Sequence, residues 1–138
     1  MIWILKAKLL FGAYARDNWE GTIEIDASST LEDFHLALQE SLDFENDHLY
    51  EFYTSRTERS SQRIRYDDEN GLIYKKTLEE LYPLEKGHKL FYLFDYGDSW
   101  TFRITKSRKK PQEPVPGIEY PTFIEETGVK PEQYPSWD

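Results

Sequence analysis

Two aspartates three residues apart, in the run LFYLFDYGDSWTFRI from Leu90 to Ile104, are the first groups in this chain that can do chemistry. Carboxylates as close as Asp95 and Asp98 repel, which splits their acidities, and that is the electrostatics of an acid–base pair or of half a metal site. The same break, Asp-Tyr-Gly-Asp, also reads as a turn between two antiparallel strands. In that reading Gly97 takes the positive φ, the carboxylates accept loose turn amides, and Gly97 and Trp100 are there to build a hairpin. The turn accounts for every residue of the break and is the expectation. His35 and His48 come next, because imidazoles joined by Asp47, Glu51 or Asp98 have the donor types of a divalent-metal site. A half-buried histidine that hydrogen-bonds across a helix–sheet seam explains the same placement, so neither a metal nor another cofactor is expected. His88, beside Gly87, reads as a turn residue only. The last candidate is the ribbon ITKSRKK, where Arg103, Lys106, Arg108, Lys109 and Lys110 can track phosphates, with Arg56, Arg59, Arg63 and Arg65 extending it. No aromatic interleaves the ribbon after Phe102, which leaves base stacking unsupported.

These groups need elements to position them. Ile2 to Phe11 is apolar on both pleat faces at its start, as a central strand is, and Trp19 to Asp26 alternates, so the two are expected to pair through the loop at 13–18. Ser29-Thr30-Leu31-Glu32 has the pattern of a capping box, with the Ser29 hydroxyl accepting an orphan amide and Glu32 reaching back. The helix that follows carries its apolar stripe on Leu31, Phe34, His35, Leu38 and Leu42. Leu49 to Thr54 reads as a third strand and Arg63 to Tyr66 as a short fourth. The polar stretch 55–71 is the expected flexible segment, closed by a turn at Asn70-Gly71. A calcium loop centred on Gly71 fails, because Tyr66 and Thr77 stand where its terminal carboxylates belong. Thr77 to Tyr82 is one helical turn before Pro83. In the hairpin, Trp100, Phe102 and Ile104 share one face and Thr101, Arg103 and Thr105 the other.

The whole is an α+β chain, read as a domain over 1–110 followed by a Pro-rich tail over 111–138 that runs extended across it, anchored by Tyr120, Phe123, Ile124, Tyr134 and Trp137. A formal charge of −9 disfavours a general nucleic-acid or anionic-membrane binder, since long-range repulsion opposes both. The absence of cysteine removes disulfide and thiolate chemistry and is compatible with the cytoplasm, the expected location. The apolar N-terminus does not read as a secretory signal, because Lys6 and Lys8 interrupt it and no basic residue precedes it.

The strings FHLALQESLDFENDHLYEF and LFYLFDYGDSWTFRI, in that order, resemble the Ri-plasmid ORF-three-like family, whose members are often labelled insertion-element passenger proteins of the TnpR type. The matching positions are Leu31, His35 and Gln39 on the helix, His48, Leu49 and Phe52 on the next strand, and Asp95, Gly97, Asp98 and Trp100 in the hairpin. Glu20 and Phe102 depart from the family's tendency to Arg and His at those places. The resemblance implies an association with mobile elements and an α+β roll. The element order is that of a β-grasp with one strand added, which gives a mixed sheet of about five or six strands packed on one main helix, with a C-terminal hairpin. It implies no resolvase chemistry, because Tyr14-Ala15-Arg16 is followed by Asp17 rather than by a nucleophilic serine. The functional expectation is a small cytosolic interaction module rather than an enzyme, which holds a protein partner on an aromatic-bearing sheet edge or on the tail. The alternatives are a metal-dependent hydrolase using His48, Asp95, Asp98 and His35, and a nucleic-acid accessory factor using the ribbon.

Overall fold

The computed structural model describes residues 1–136, so the expected anchor Trp137 lies outside the described residues. In chain order the elements are β1 (Ile2–Phe11), β2 (Trp19–Asp26), α1 (Leu31–Leu42), β3 (Tyr50–Ser55), β4 (Ile64–Asp67), a 3-10 turn (Leu72–Tyr74), α2 (Leu78–Leu81), β5 (Lys89–Phe94), β6 (Trp100–Lys106) and β7 (Thr122–Gly128). The strands form one seven-stranded sheet in the order β4-β3-β5-β6-β1-β2-β7. Every pairing is antiparallel, so the expected mixed sheet of five or six strands is corrected in both number and direction.

The physical reason lies in the hairpin. A short turn after β5 forces β6 back alongside it, and the free edge of β6 then takes β1. β5 and β1 run parallel to each other, as the corresponding strands of a β-grasp do, but β6 stands between them. The seventh strand comes from the tail, which not only runs extended but pairs with β2 over Trp19↔Gly128 to Glu24↔Thr122. Five of its seven residues are exposed, so the sequence shows no buried stripe that would mark it as a strand.

α1 covers one face of the sheet. Leu31, Phe34, His35, Leu38 and Leu42 are all buried, as their spacing requires, and they meet Leu5, Ile23, Phe52, Tyr92, Phe94 and Phe102 from the strands. The cap differs from expectation by one residue: Thr30 accepts from the Asp33 amide at 3.1 Å, and Asp33 accepts from the Thr30 amide at 2.9 Å. Thr30 is fixed there by a β-bridge to Thr77, and the Ser29 carbonyl is occupied by the Leu78 amide. On the opposite face the polar segment after β3 folds back over the strands. Arg63 lies 3.9 Å over the Tyr53 ring and Arg59 5.0 Å over the Phe11 ring, while Tyr53 and Phe91 stack with centroids 5.2 Å apart. The turn at Asn70-Gly71 forms, with Gly71 at φ 73°.

Candidate functional site

The helix brings His35 and Gln39 onto one face, four residues apart, against Tyr92 in the middle of β5. The Gln39 amide donates to the Tyr92 hydroxyl at 2.9 Å, and that hydroxyl, 2.6 Å from His35 Nδ1, donates to it in turn. His35 Nε2 donates to the Asn46 side-chain oxygen at 2.7 Å, a direction fixed by the carbonyl on the far side. The Asn46 backbone amide closes the ring by donating to Gln39 Oε1 at 2.9 Å. Asn46 adopts φ 51° to do so, a conformation asparagine tolerates. The Tyr50 ring stacks on the imidazole at 3.4 Å. Burial pushes the His35 pKa down to about 4, opposed by the Asn46 bond. A neutral imidazole with both nitrogens engaged holds the helix to the sheet and has no lone pair to offer a metal.

Asp95, Gly97, Asp98 and Trp100 do form the hairpin, with one correction. The positive φ values fall on Asp95 (64°) and Ser99 (56°), not on Gly97. Asp95 Oδ1 accepts from the Gly97 amide at 2.9 Å and the Asp98 amide at 3.2 Å, which fixes the loop from its first residue. Gly97 matters for closeness instead, since a Cβ there would stand 3.3 Å from that carboxylate oxygen. Asp98 contributes its backbone carbonyl, which accepts from the Ala13 amide at 2.8 Å. Trp100 is fully buried against Phe44, with ring centroids 5.2 Å apart.

The second carboxylate oxygen of Asp95 lies 3.4 Å from His48 Nε2. The tail joins them there. The Tyr134 hydroxyl donates to Asp47 Oδ2 at 2.5 Å, and its oxygen lies 3.0 Å from His48 Nε2. Gln133, itself buried, donates to Asp47 Oδ1 at 2.8 Å and accepts from the Glu45 amide at 2.7 Å. The Tyr134 bond, and then the Gln133 bond, hold the Asp47 carboxyl below its ordinary range. The same bond pushes the Tyr134 phenol up to about 12, the wrong direction for a nucleophile. His35 and Asp98 do not enter this cluster, and among the described residues no group of three or more His, Asp or Glu side chains is arranged to hold a metal.

The basic residues do not form one track. Arg103 shares a face with Thr101 and Thr105, whereas Lys106 follows Ile104 on the helix side and sits 4.5 Å over the Trp3 ring. Arg65 pairs with the buried Glu51 at 3.3 Å, and Arg63 donates to the carbonyls of Ser60 and Glu58. Phe102, at the position where the family tends to His, is fully buried between Trp19 and Tyr92. Glu20 pairs with Lys6 at 3.8 Å. Sequence reasoning missed Tyr92, Asn46 and Gln133. The one local signal was the turn-prone string Glu45-Asn46-Asp47, and pairing across the fold left no other.

These features define an antiparallel α+β roll, strapped by its own C-terminal segment and fixed internally by a histidine–tyrosine–amide ring. The chain belongs to the plasmid pRiA4b ORF-3-like protein family, which matches residues 15–133. Its fold is similar to the crystal structure of a protein of unknown function, MM3350 from Methanosarcina mazei Go1, with a TM-score of 0.71 at 22% identity, covering 91% of this chain and 68% of that one. No curated protein matches the chain.

Proposed function

We propose that the protein is a non-catalytic interaction module in the cytoplasm, and that it holds an extended segment of a protein partner against the outer edge of β7. One observation carries this: β7 ends the sheet with β2 as its single strand neighbour, so its alternate backbone amides and carbonyls face outward. An extended chain can add there by main-chain hydrogen bonding, with side chains at alternate positions supplying specificity. Ile124, 51% exposed, offers an apolar contact, and the exposed Glu125 favours a partner with basic side chains. The chemically capable residues support the same reading, because His35, Asp95 and Asp47 are engaged in holding the fold and the tail together. The plasmid in the family's description supports an association with mobile elements as part of this proposal.

The test uses the full chain and an extended peptide selected from a random library. Binding at β7 slows hydrogen exchange at those β7 amides that are not bonded to β2. A bound peptide that leaves every one of them exchanging at the free rate overturns the proposal.

A further inference from the structure

The loop from Tyr82 to His88 meets the sheet at a corner where β6 outruns β5. The β5–β6 ladder stops at Leu90↔Ile104, while β6 continues to Lys106 in its pairing with β1. A concavity of about 490 Å³ lies in this corner, within the size range of small-ligand sites. Tyr82, Pro83, Leu84 and Ile104 give it an apolar wall, Lys89 and Arg103 bring two cations from one face of the sheet, and Lys106 borders it from the other face with its ammonium over the Trp3 ring. No carboxylate lines it, although the chain as a whole carries −9. Glu85, exposed on the same loop, lies 3.8 Å from His88 Nε2.

Two further observations point to an occupant. The Tyr82 hydroxyl and His88 Nδ1 both belong to residues of the wall, and both are buried with no hydrogen-bond partner among the described residues. Such groups cost stability until something pairs with them. Arg103 stands directly across from Lys8 in the β1–β6 ladder, and like charges in that position repel. An anion bound beside Arg103 relieves that repulsion.

We propose that this corner binds a phosphate monoester carried on a flat apolar body. Arg103 and Lys89, on the same face of the sheet, hold the phosphoryl group, two cations matching a dianion better than a single carboxylate. Tyr82 and His88 supply the hydrogen bonds they now lack, and the apolar wall covers the body. The site does not depend on the docking edge at β7.

The test is a titration of the full chain, followed by calorimetry and by amide and imidazole NMR, with phenyl phosphate, inorganic phosphate, benzoate and benzyl alcohol as probes. Phenyl phosphate is expected to give saturable shifts at His88, Lys89 and Thr105, with a Kd about tenfold below those of inorganic phosphate and benzoate. Arg103→Gln and Lys89→Gln should each raise that Kd about tenfold, the loss of one charge-assisted contact, while Lys110→Gln leaves it unchanged. Lys89 is exposed, so its variant tests the site even if Arg103→Gln folds poorly. The proposal is overturned by the absence of saturable shifts up to about 10 mM. It is overturned equally by benzyl alcohol or inorganic phosphate binding as well as phenyl phosphate, or by either glutamine variant keeping the parent affinity.

Discussion

Acid should unfold this protein through His35. In the folded chain burial lowers its pKa from 6.5 to about 4, whereas in the unfolded chain it titrates near its ordinary value. Between those two values the unfolded state therefore binds a proton that the folded state refuses, and stability falls as pH falls. The contribution is fully present above about pH 6.5 and fully lost below about pH 4. The gap from 6.5 to about 4, at about 1.4 kcal/mol per pH unit, amounts to about 3 kcal/mol. For a domain with a total stability of roughly 5–15 kcal/mol this is a large share. Urea unfolding measured from pH 7.5 to 4, on the parent and on His35→Gln, isolates it. Every other ionisable group is common to both proteins and cancels in the difference, while glutamine cannot titrate. The stability advantage of the parent should shrink by about 3 kcal/mol across that window. A difference that stays flat from pH 7.5 to 4 would refute the closed ring around a neutral imidazole.

Tyr92→Phe removes the hydroxyl that links His35 to Gln39 and leaves two buried polar atoms unpaired; it should cost about 2–4 kcal/mol, read as a lower urea midpoint with an unchanged m-value. Asp95→Asn keeps both an amide acceptor and tolerance for φ 64°, so it should cost about 1 kcal/mol or less, whereas Asp95→Ala loses both and should cost about 2 kcal/mol or more by thermal melt. Equal losses for the two variants would contradict the turn-capping role. Gly128 has φ 82°, and a Cβ there would collide with the Asn18 carbonyl. Gly128→Ala should therefore release the end of β7 and the tail, seen as faster proteolysis after residue 128 with the melt of the rest little changed. Trp100→Ala opens a cavity beside Phe44 and should cost about 3–5 kcal/mol.

Local physics carried far in this sequence. β1, β2 and α1 have the bounds that their alternation and helical spacing indicate, because each pattern is set by which face meets the core. The hairpin of β5 and β6 was legible for the same reason, since DYGDS leaves the chain no path but a tight reversal. Even there, sequence could not choose which residue takes the left-handed conformation: Gly97 is the freest to do so, but the carboxylate of Asp95 reaches the loop amides only when Asp95 itself adopts it. The rest was settled at long range. β7 has no buried stripe to announce it, and its place beside β2 depends on a strand about a hundred residues earlier in the chain. His35 and His48 looked alike as isolated imidazoles, yet the fold closes one into a dry ring with Tyr92 and Asn46 and gives the other to Asp95 and the tail. His88 read as an idle turn residue until the loop from Tyr82 laid it against the end of β6. Sequence determines a side chain's chemistry and its local face; only the packed chain determines which groups stand within hydrogen-bond reach, because those partners come from segments whose separation along the chain says nothing of their distance in space.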